Sequence, residues 1–116
     1  MDDVADYFNQ QGLIYTPNFL AKGSTGLEFN FNFQIAGRTS EILINSFNSI
    51  NRGNLAAFLF DWLDIRDERQ KSARKKVTGL AIINDEKGVD KKYLDALLAK
   101  GTDYILFSER LKPENI

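Results

Sequence analysis

Nine consecutive residues, LEFNFNFQI at positions 27–35, alternate apolar and polar without a break. Successive side chains of a strand point to opposite faces. Leu27, Phe29, Phe31, Phe33 and Ile35 therefore share one face of a strand, and Glu28, Asn30, Asn32 and Gln34 the other. The pattern predicts that Phe29, Phe31 and Phe33 are buried against a covering helix, the one that carries Trp62. The polar face holds three amides and one carboxylate. It is poor in the ionisable groups on which most enzyme sites depend.

The rest of the chain supplies the layers around that strand. Residues 2–11 read as a helix, capped by Asp2 or Asp3, with Val4, Tyr7 and Phe8 as its apolar stripe and Gly12 as its stop. Residues 13–16 predict a brief strand that ends near Pro17, and KGSTG at 22–26 a turn. AGRT at 36–39 is a hairpin connection, and SEILINSF at 40–47 the antiparallel partner of the long strand. Asn54 is the expected cap of a helix that starts at Leu55 and runs to about Lys71. Its stripe is Leu55, Phe58, Leu59, Trp62 and Leu63. Residues 66–76 read as a helix end and solvated linker.

VTGLAIIN at 77–84 is a nearly continuous apolar run, as in strands buried on both faces. A turn at 85–88 and a helix at 90–100 follow, with Tyr93, Leu94, Leu97 and Leu98 inward and Gly101 at its end. YILF at 104–107 is a second buried strand. A helix between two such strands makes a right-handed crossover with parallel strands. Residues 108–116 read as a polar tail. The expected fold is α/β at the boundary with α+β. It is a mixed sheet with an antiparallel meander, a parallel βαβ crossover and helices on the faces.

The length of 116 residues fits one domain over 1–116, and 43% hydrophobic residues with nine Phe suffice for a core. A net charge of −1 gives no global basic excess for nucleic acid. The sequence has neither Cys nor His. Disulfides, thiolate chemistry, serine–histidine triads and ordinary zinc sites therefore have no residues to work with. The lack of Cys fits a cytoplasmic protein. A metal would have to be a hard ion on oxygen ligands, and neither a metal nor a cofactor is expected. No apolar run approaches the ~20 residues that span a bilayer, so no membrane partner is expected. The acidic start MDDVADYF does not read as a secretory signal.

Four segments carry candidate chemistry. In FDWLDIRD at 60–67, a continuous helix splays Trp62, Asp64 and Arg66 over different faces. A break near Asp64 would instead let Asp64 and Arg66 meet a backbone or a ligand, but a core Trp followed by a solvated helix end is the expected role. RDERQKSARKK at 66–76 ends in Lys71, Arg74, Lys75 and Lys76, four cations that suit phosphate. No aromatic lies among them for base stacking, and acids precede them, so a solvated face is the expected role. IINDE at 82–86 puts Asp85 just beyond the carboxyl end of a parallel strand, where ligands of open α/β sheets bind, although a turn role also fits. KGSTG lacks the GK[ST] ending of a phosphate loop.

The order of elements is similar to the core of the PD-(D/E)xK nuclease-like fold: helix, three-strand meander, helix, strand. The resemblance implies an Asp in the second strand and an (Asp/Glu)-x-Lys in the third, gathered around Mg²⁺. Here Asn30 or Asn32 holds the first place, Asn45 the Asp/Glu place and Phe47 the Lys place. An amide is a neutral, weak metal ligand and Phe cannot stabilise an anion, so the resemblance implies a dead site. A shifted mapping uses Glu41, with Leu43 at the Lys place. The motifs FNFNFQI, ILINSFN, FDWLDIRD, LAIINDE and YILFSER also resemble the bacterial and phage family known as domain of unknown function 1829. That resemblance implies a C-terminal position in a longer protein, and a role in mobile-element or defence biology.

Three functions are consistent with these residues. The leading one is a non-catalytic binding domain for a protein partner or an adjacent domain, with nucleic acid a weak partner at most. Its ligand-facing residues would be Asn30, Asn32, Glu41, Asn45, Asp64, Arg66 and Asp85. The second is a Mg²⁺-dependent nuclease that uses Glu41 with Asp61, Asp64 or Asp85. The third is an oligomerisation module, a homodimer built on the exposed edge of the long hairpin.

Overall fold

The computed structural model describes residues 2–73 and 75–109. Five strands form one sheet in the order β1-β2-β3-β4-β5. They are β1 (Thr16–Lys22), β2 (Glu28–Ala36), β3 (Ser40–Phe47), β4 (Lys76–Ile83) and β5 (Thr102–Leu106). The first three pair antiparallel, and β3–β4 and β4–β5 pair parallel. The helices are α1 (Asp2–Gln10), α2 (Arg52–Ala73) and α3 (Lys91–Ala99), and a 3-10 turn at Phe107–Glu109 ends the described chain. This is the mixed sheet with meander and crossover that the apolar patterns predict. No helix among the described residues is long and apolar enough to cross a membrane.

The two faces of the sheet carry separate cores. On one, α2 and α3 bury Leu55, Phe58, Trp62, Ile65 and Leu97 against Phe31, Leu43, Phe47, Ala81 and Ile83. On the other, Val4, Tyr7 and Phe8 of α1 cover Phe33, Ile44 and Ile82. Phe31 and Phe33 thus lie on opposite faces, which corrects the expectation that all three Phe residues meet α2. Phe29 and Phe31 pack on the α2 side. Phe33 instead sets its ring edge-on to Phe8 at 5.2 Å.

The cause is a kink shared by two strands. Asn18 has φ +52°, a left-handed conformation that Asn tolerates better than most residues. The β1–β2 ladder pairs Pro17 with Phe33 and Phe19 with Phe31. It skips Asn18 and Asn32 between them. Both strands flip there, so period-two alternation fails while the register holds.

Other boundaries differ for local reasons. The first strand runs through Pro17 rather than ending at it. It is an edge strand, where a missing N–H costs no ladder bond. Helix α2 starts three residues early because Asn51 caps it. Asn51 Oδ1 accepts from Asn54 N–H and Asn54 Oδ1 from Asn51 N–H, both at 2.9 Å, a reciprocal cap. The helix then runs unbroken to Ala73, so most of the expected linker is helical. Its buried stripe is Leu55, Phe58, Trp62 and Ile65, while Leu63 is 39% exposed. The last strand begins at Thr102, not Tyr104. Of the expected polar tail, residues 110–116 lie outside the described residues.

Trp62 is 1% exposed, and its indole N–H has no acceptor among the described residues, so packing alone positions the ring. It lies over Gly79 of β4. A Cβ there would come within 2.9 Å of the indole Cδ2 and 3.1 Å of Thr102 Cγ2. Gly79→Ala is expected to cost about 1–3 kcal/mol by overpacking, read as a lower urea midpoint with unchanged slope. An unaltered midpoint would mean that the indole shifts freely.

Candidate functional site

The fork between β2 and β3 holds the positions at which the nuclease resemblance implies metal-binding carboxylates. The β2–β3 ladder runs from Ala36↔Glu41 to Phe33↔Ile44 and stops. Beyond it, two side chains replace the backbone partners. Asn45 Oδ1 accepts from Asn32 N–H, and Asn32 Oδ1 accepts from Ser46 N–H, each at 2.9 Å. The Ser46 hydroxyl reaches the same Asn32 oxygen at 3.4 Å. A backbone N–H shielded from water needs an acceptor, and these amide oxygens supply it at two half-buried N–H groups beyond the end of the ladder. Asn30 sits outside this arrangement, exposed and opposite Leu20. Phe47, at the Lys place, packs edge-on to Phe58 in the core.

Glu41 lies at the other end of the hairpin, 2% exposed. Arg69 of α2 grips it with both arms of its guanidinium, Nε to Oε1 at 2.7 Å and Nη2 to Oε2 at 2.8 Å. Gln34 Nε2 donates to Oε2 at 2.8 Å. The Arg69 guanidinium also lies over the Phe19 ring, 5.1 Å from its centre. Burial pushes the Glu41 carboxyl up. The hydrogen bonds from Arg69 and Gln34, with the charges of Arg69 and Lys75, outweigh that and hold it below its usual value. The same pairing raises the Arg69 pKa. Both carboxylate oxygens are in use, in a bidentate geometry among the strongest in proteins.

Asp64 meets a backbone without any break in α2. The turn after β1 folds over it. The Ser24 hydroxyl donates at 2.6 Å, the Thr25 N–H at 3.1 Å and the Thr25 hydroxyl at 2.5 Å. Gly23 is required at this contact, since a Cβ there would come within 2.8 Å of Asp64 Cγ. The KGSTG segment is therefore a clasp for a helix carboxylate. The Ser24 and Thr25 hydrogen bonds hold the Asp64 carboxyl below its usual range. Asp61, one turn earlier, is pushed up by burial and by the Asp64 charge. Arg66 pairs with its neighbour Asp67, at 3.3 Å on the surface.

Asp85 closes the end of β4 onto the 3-10 turn. It accepts from both the N–H and the hydroxyl of Ser108, and those bonds lower its pKa. Among the described residues, no three of the acidic side chains form a group that could hold a metal. The four candidate carboxylates are distributed. Glu41 is on Arg69, Asp64 under the turn, Asp85 on Ser108, and Asp61 beside α2's own Asp64.

Of the four candidate phosphate-binding cations, Lys71 is exposed on the last turn of α2 and Lys76 is exposed at the start of β4. Lys75 spends its ammonium on the Gly37 carbonyl at 2.8 Å. Arg74 lies outside the described residues. The fold adds Arg38, on the same hairpin as Gly37, which the sequence reading passed over. Gln34 and Arg69 were missed as well. A signal for Arg69 existed, because it continues the spacing of Leu55, Phe58, Trp62 and Ile65 along the buried stripe.

Comparison with solved structures agrees with this architecture. The crystal structure of a protein of unknown function, AF1548, matches 88% of this chain and 53% of its own, with a TM-score of 0.66 and 11% identity. The small subunit of the heterodimeric restriction endonuclease R.BspD6I matches 89% of this chain and 58% of its own, with a TM-score of 0.56 and 14% identity. The chain thus spans little more than half the length of the solved structures it matches. At such identities the likeness shows the fold alone. No curated protein matches the sequence. A family model does match, over residues 23–110, beginning at the turn that clasps Asp64. By that match the chain belongs to the family described as domain of unknown function DUF1829.

Proposed function

We propose that the chain is a non-catalytic interaction domain on a degenerate nuclease-like fold, serving a larger bacterial or phage protein. The observation that carries this reading is the fork between β2 and β3. At the places where Mg²⁺ would need carboxylates stand Asn32 and Asn45, whose amide oxygens already accept from backbone N–H groups. A metal would have to displace those bonds and would gain only neutral ligands, which suit a hard cation poorly. The buried carboxylate at the other end of the same hairpin, Glu41, is committed to Arg69 and Gln34. Without a metal-held water, in-line phosphodiester hydrolysis of this type has no activated nucleophile.

The test has two arms. Calorimetric titration with Mg²⁺ and then Mn²⁺ is expected to give no saturable heat, and plasmid DNA incubated with either ion should stay intact. A one-to-one site of micromolar affinity, or cleavage that depends on added metal, would overturn the reading.

A further inference from the structure

The two faces of the sheet are unequally covered. Helices α2 and α3 shield one, whereas among the described residues the only helix on the other is α1, nine residues long. Beside α1 lies an open groove of about 570 Å³. Its floor is Ile35 of β2, Ile42 of β3 and Leu80 of β4, and Phe107 and Leu98 stand at its margin. Leu98, expected to face inward, is 53% exposed. Strands paired in parallel are normally covered on both faces; β3, β4 and β5 pair in parallel, yet the groove leaves part of one of their faces open. From β2 to β5 the groove crosses three inter-strand spacings of ~4.8 Å, about 14 Å in all. One α-helix, ~10 Å across, fits that width.

The groove is also polar at one end. Asp103 and Thr78 line it there. The pairing Leu80↔Asp103 sets them in adjacent strands, with Thr78 two residues before Leu80. Asp103 is exposed, and no described residue pairs with it. An occupant that meets the carboxylate with a cation would complement this end. In both solved structures of this fold the matched part is little more than half of the chain, so the fold occurs there with a comparable length of further polypeptide. That favours a polypeptide occupant.

We infer that the open face beside α1 is a docking groove for an amphipathic helix of a partner polypeptide, which inserts a few aliphatic side chains over Ile42 and Leu80 and sets a lysine or arginine against Asp103. This deepens, and rests on, the interaction reading above. Helix-in-groove recognition uses the same arrangement of apolar anchors at i, i+3, i+4 and i+7.

The experiment uses the full chain and two synthetic helical peptides with the same leucine face, one with lysine and one with glutamate on the polar face. Titrations are followed by amide chemical shifts and by anisotropy. The lysine peptide is expected to bind about fivefold more tightly than the glutamate peptide, the scale of one rim ion pair. Its shifts should centre on Ile42, Leu80 and Ile105. Asp103→Lys should reverse that preference, while Glu28→Lys, an equal charge change at the far hairpin, should leave the order of preference unchanged. Leu98→Gln removes an already exposed side chain, so the fold is safe, and should weaken both peptides about tenfold.

Shifts scattered over the surface, or binding indifferent to Leu98→Gln, would overturn the inference. So would a free chain that dimerises through Leu98, since a second copy would then fill the groove. Metal-dependent cleavage would take down the interaction reading without touching the groove. Absence of peptide binding would remove the helix and leave the amide-held fork as it stands.

Discussion

Arg69→Ala is expected to destabilise the folded chain by about 3–5 kcal/mol, the usual cost of removing one partner of a buried pair. Glu41 is the reason. It is 2% exposed, and among the described residues its donors are Arg69 and Gln34. Without the guanidinium the carboxylate keeps its burial and loses most of its compensation. The variant therefore inverts the pH dependence of this site. In the native chain the Glu41 pKa lies below its ordinary value. Its contribution is then fully present above the unfolded-state pKa, near 4.3, and fades as pH falls through the folded value. In Arg69→Ala burial dominates and the pKa rises above ordinary, so the folded state holds its proton more tightly than the unfolded one. That contribution declines as pH rises through the ordinary value. The stability gap between the two proteins should widen from acid to neutral pH, as measured by urea unfolding at several pH values. A gap below about 1 kcal/mol, or one that ignores pH, would show that water already reaches Glu41. Replacing both partners together, Glu41→Leu with Arg69→Met, should recover much of the loss, because no charge is then stranded.

The sequence makes the sheet legible because its strands obey simple periods. SEILINSF alternates, with Glu41, Leu43 and Phe47 turned to α2 and Ile42 and Ile44 to α1. VTGLAIIN is apolar on both faces and stands in the interior of the sheet. What escapes a local reading is set by contacts far along the chain. Nothing near Ser24 and Thr25 announces that they bond a carboxylate 40 and 39 residues away. Asn51 and Asn54 are both good caps, and the choice rests on their reciprocal bonds. The candidate site was half visible. Asn32 and Asn45 were placed by analogy with strand positions. The grip of Arg69 on Glu41 was derivable, since an acid on an apolar stripe calls for a cation on the facing stripe. That step needs two elements read together.

Phe31→Ala is expected to cost about 3–5 kcal/mol, since the side chain is fully buried and truncating a core aromatic leaves a cavity as well as lost transfer energy. Phe33→Ala should fall in the same range for the same reason. The informative quantity is their coupling. In a regular strand, residues two apart lie on one face and share neighbours, so their effects would interact by about 0.5–3 kcal/mol. Here the kink at Asn18 and Asn32 sends Phe31 to Trp62 and Phe33 to Phe8. The two cavities would open in different cores, on opposite sides of the sheet. Additivity within about 0.5 kcal/mol is therefore expected, best measured with the milder Phe31→Leu and Phe33→Leu pair so that the double variant stays folded. A coupling well above that would place both rings in one core and return the strand to plain alternation. The same cycle run on Phe29 and Phe31, which share the α2 side, should show the coupling that the first pair lacks.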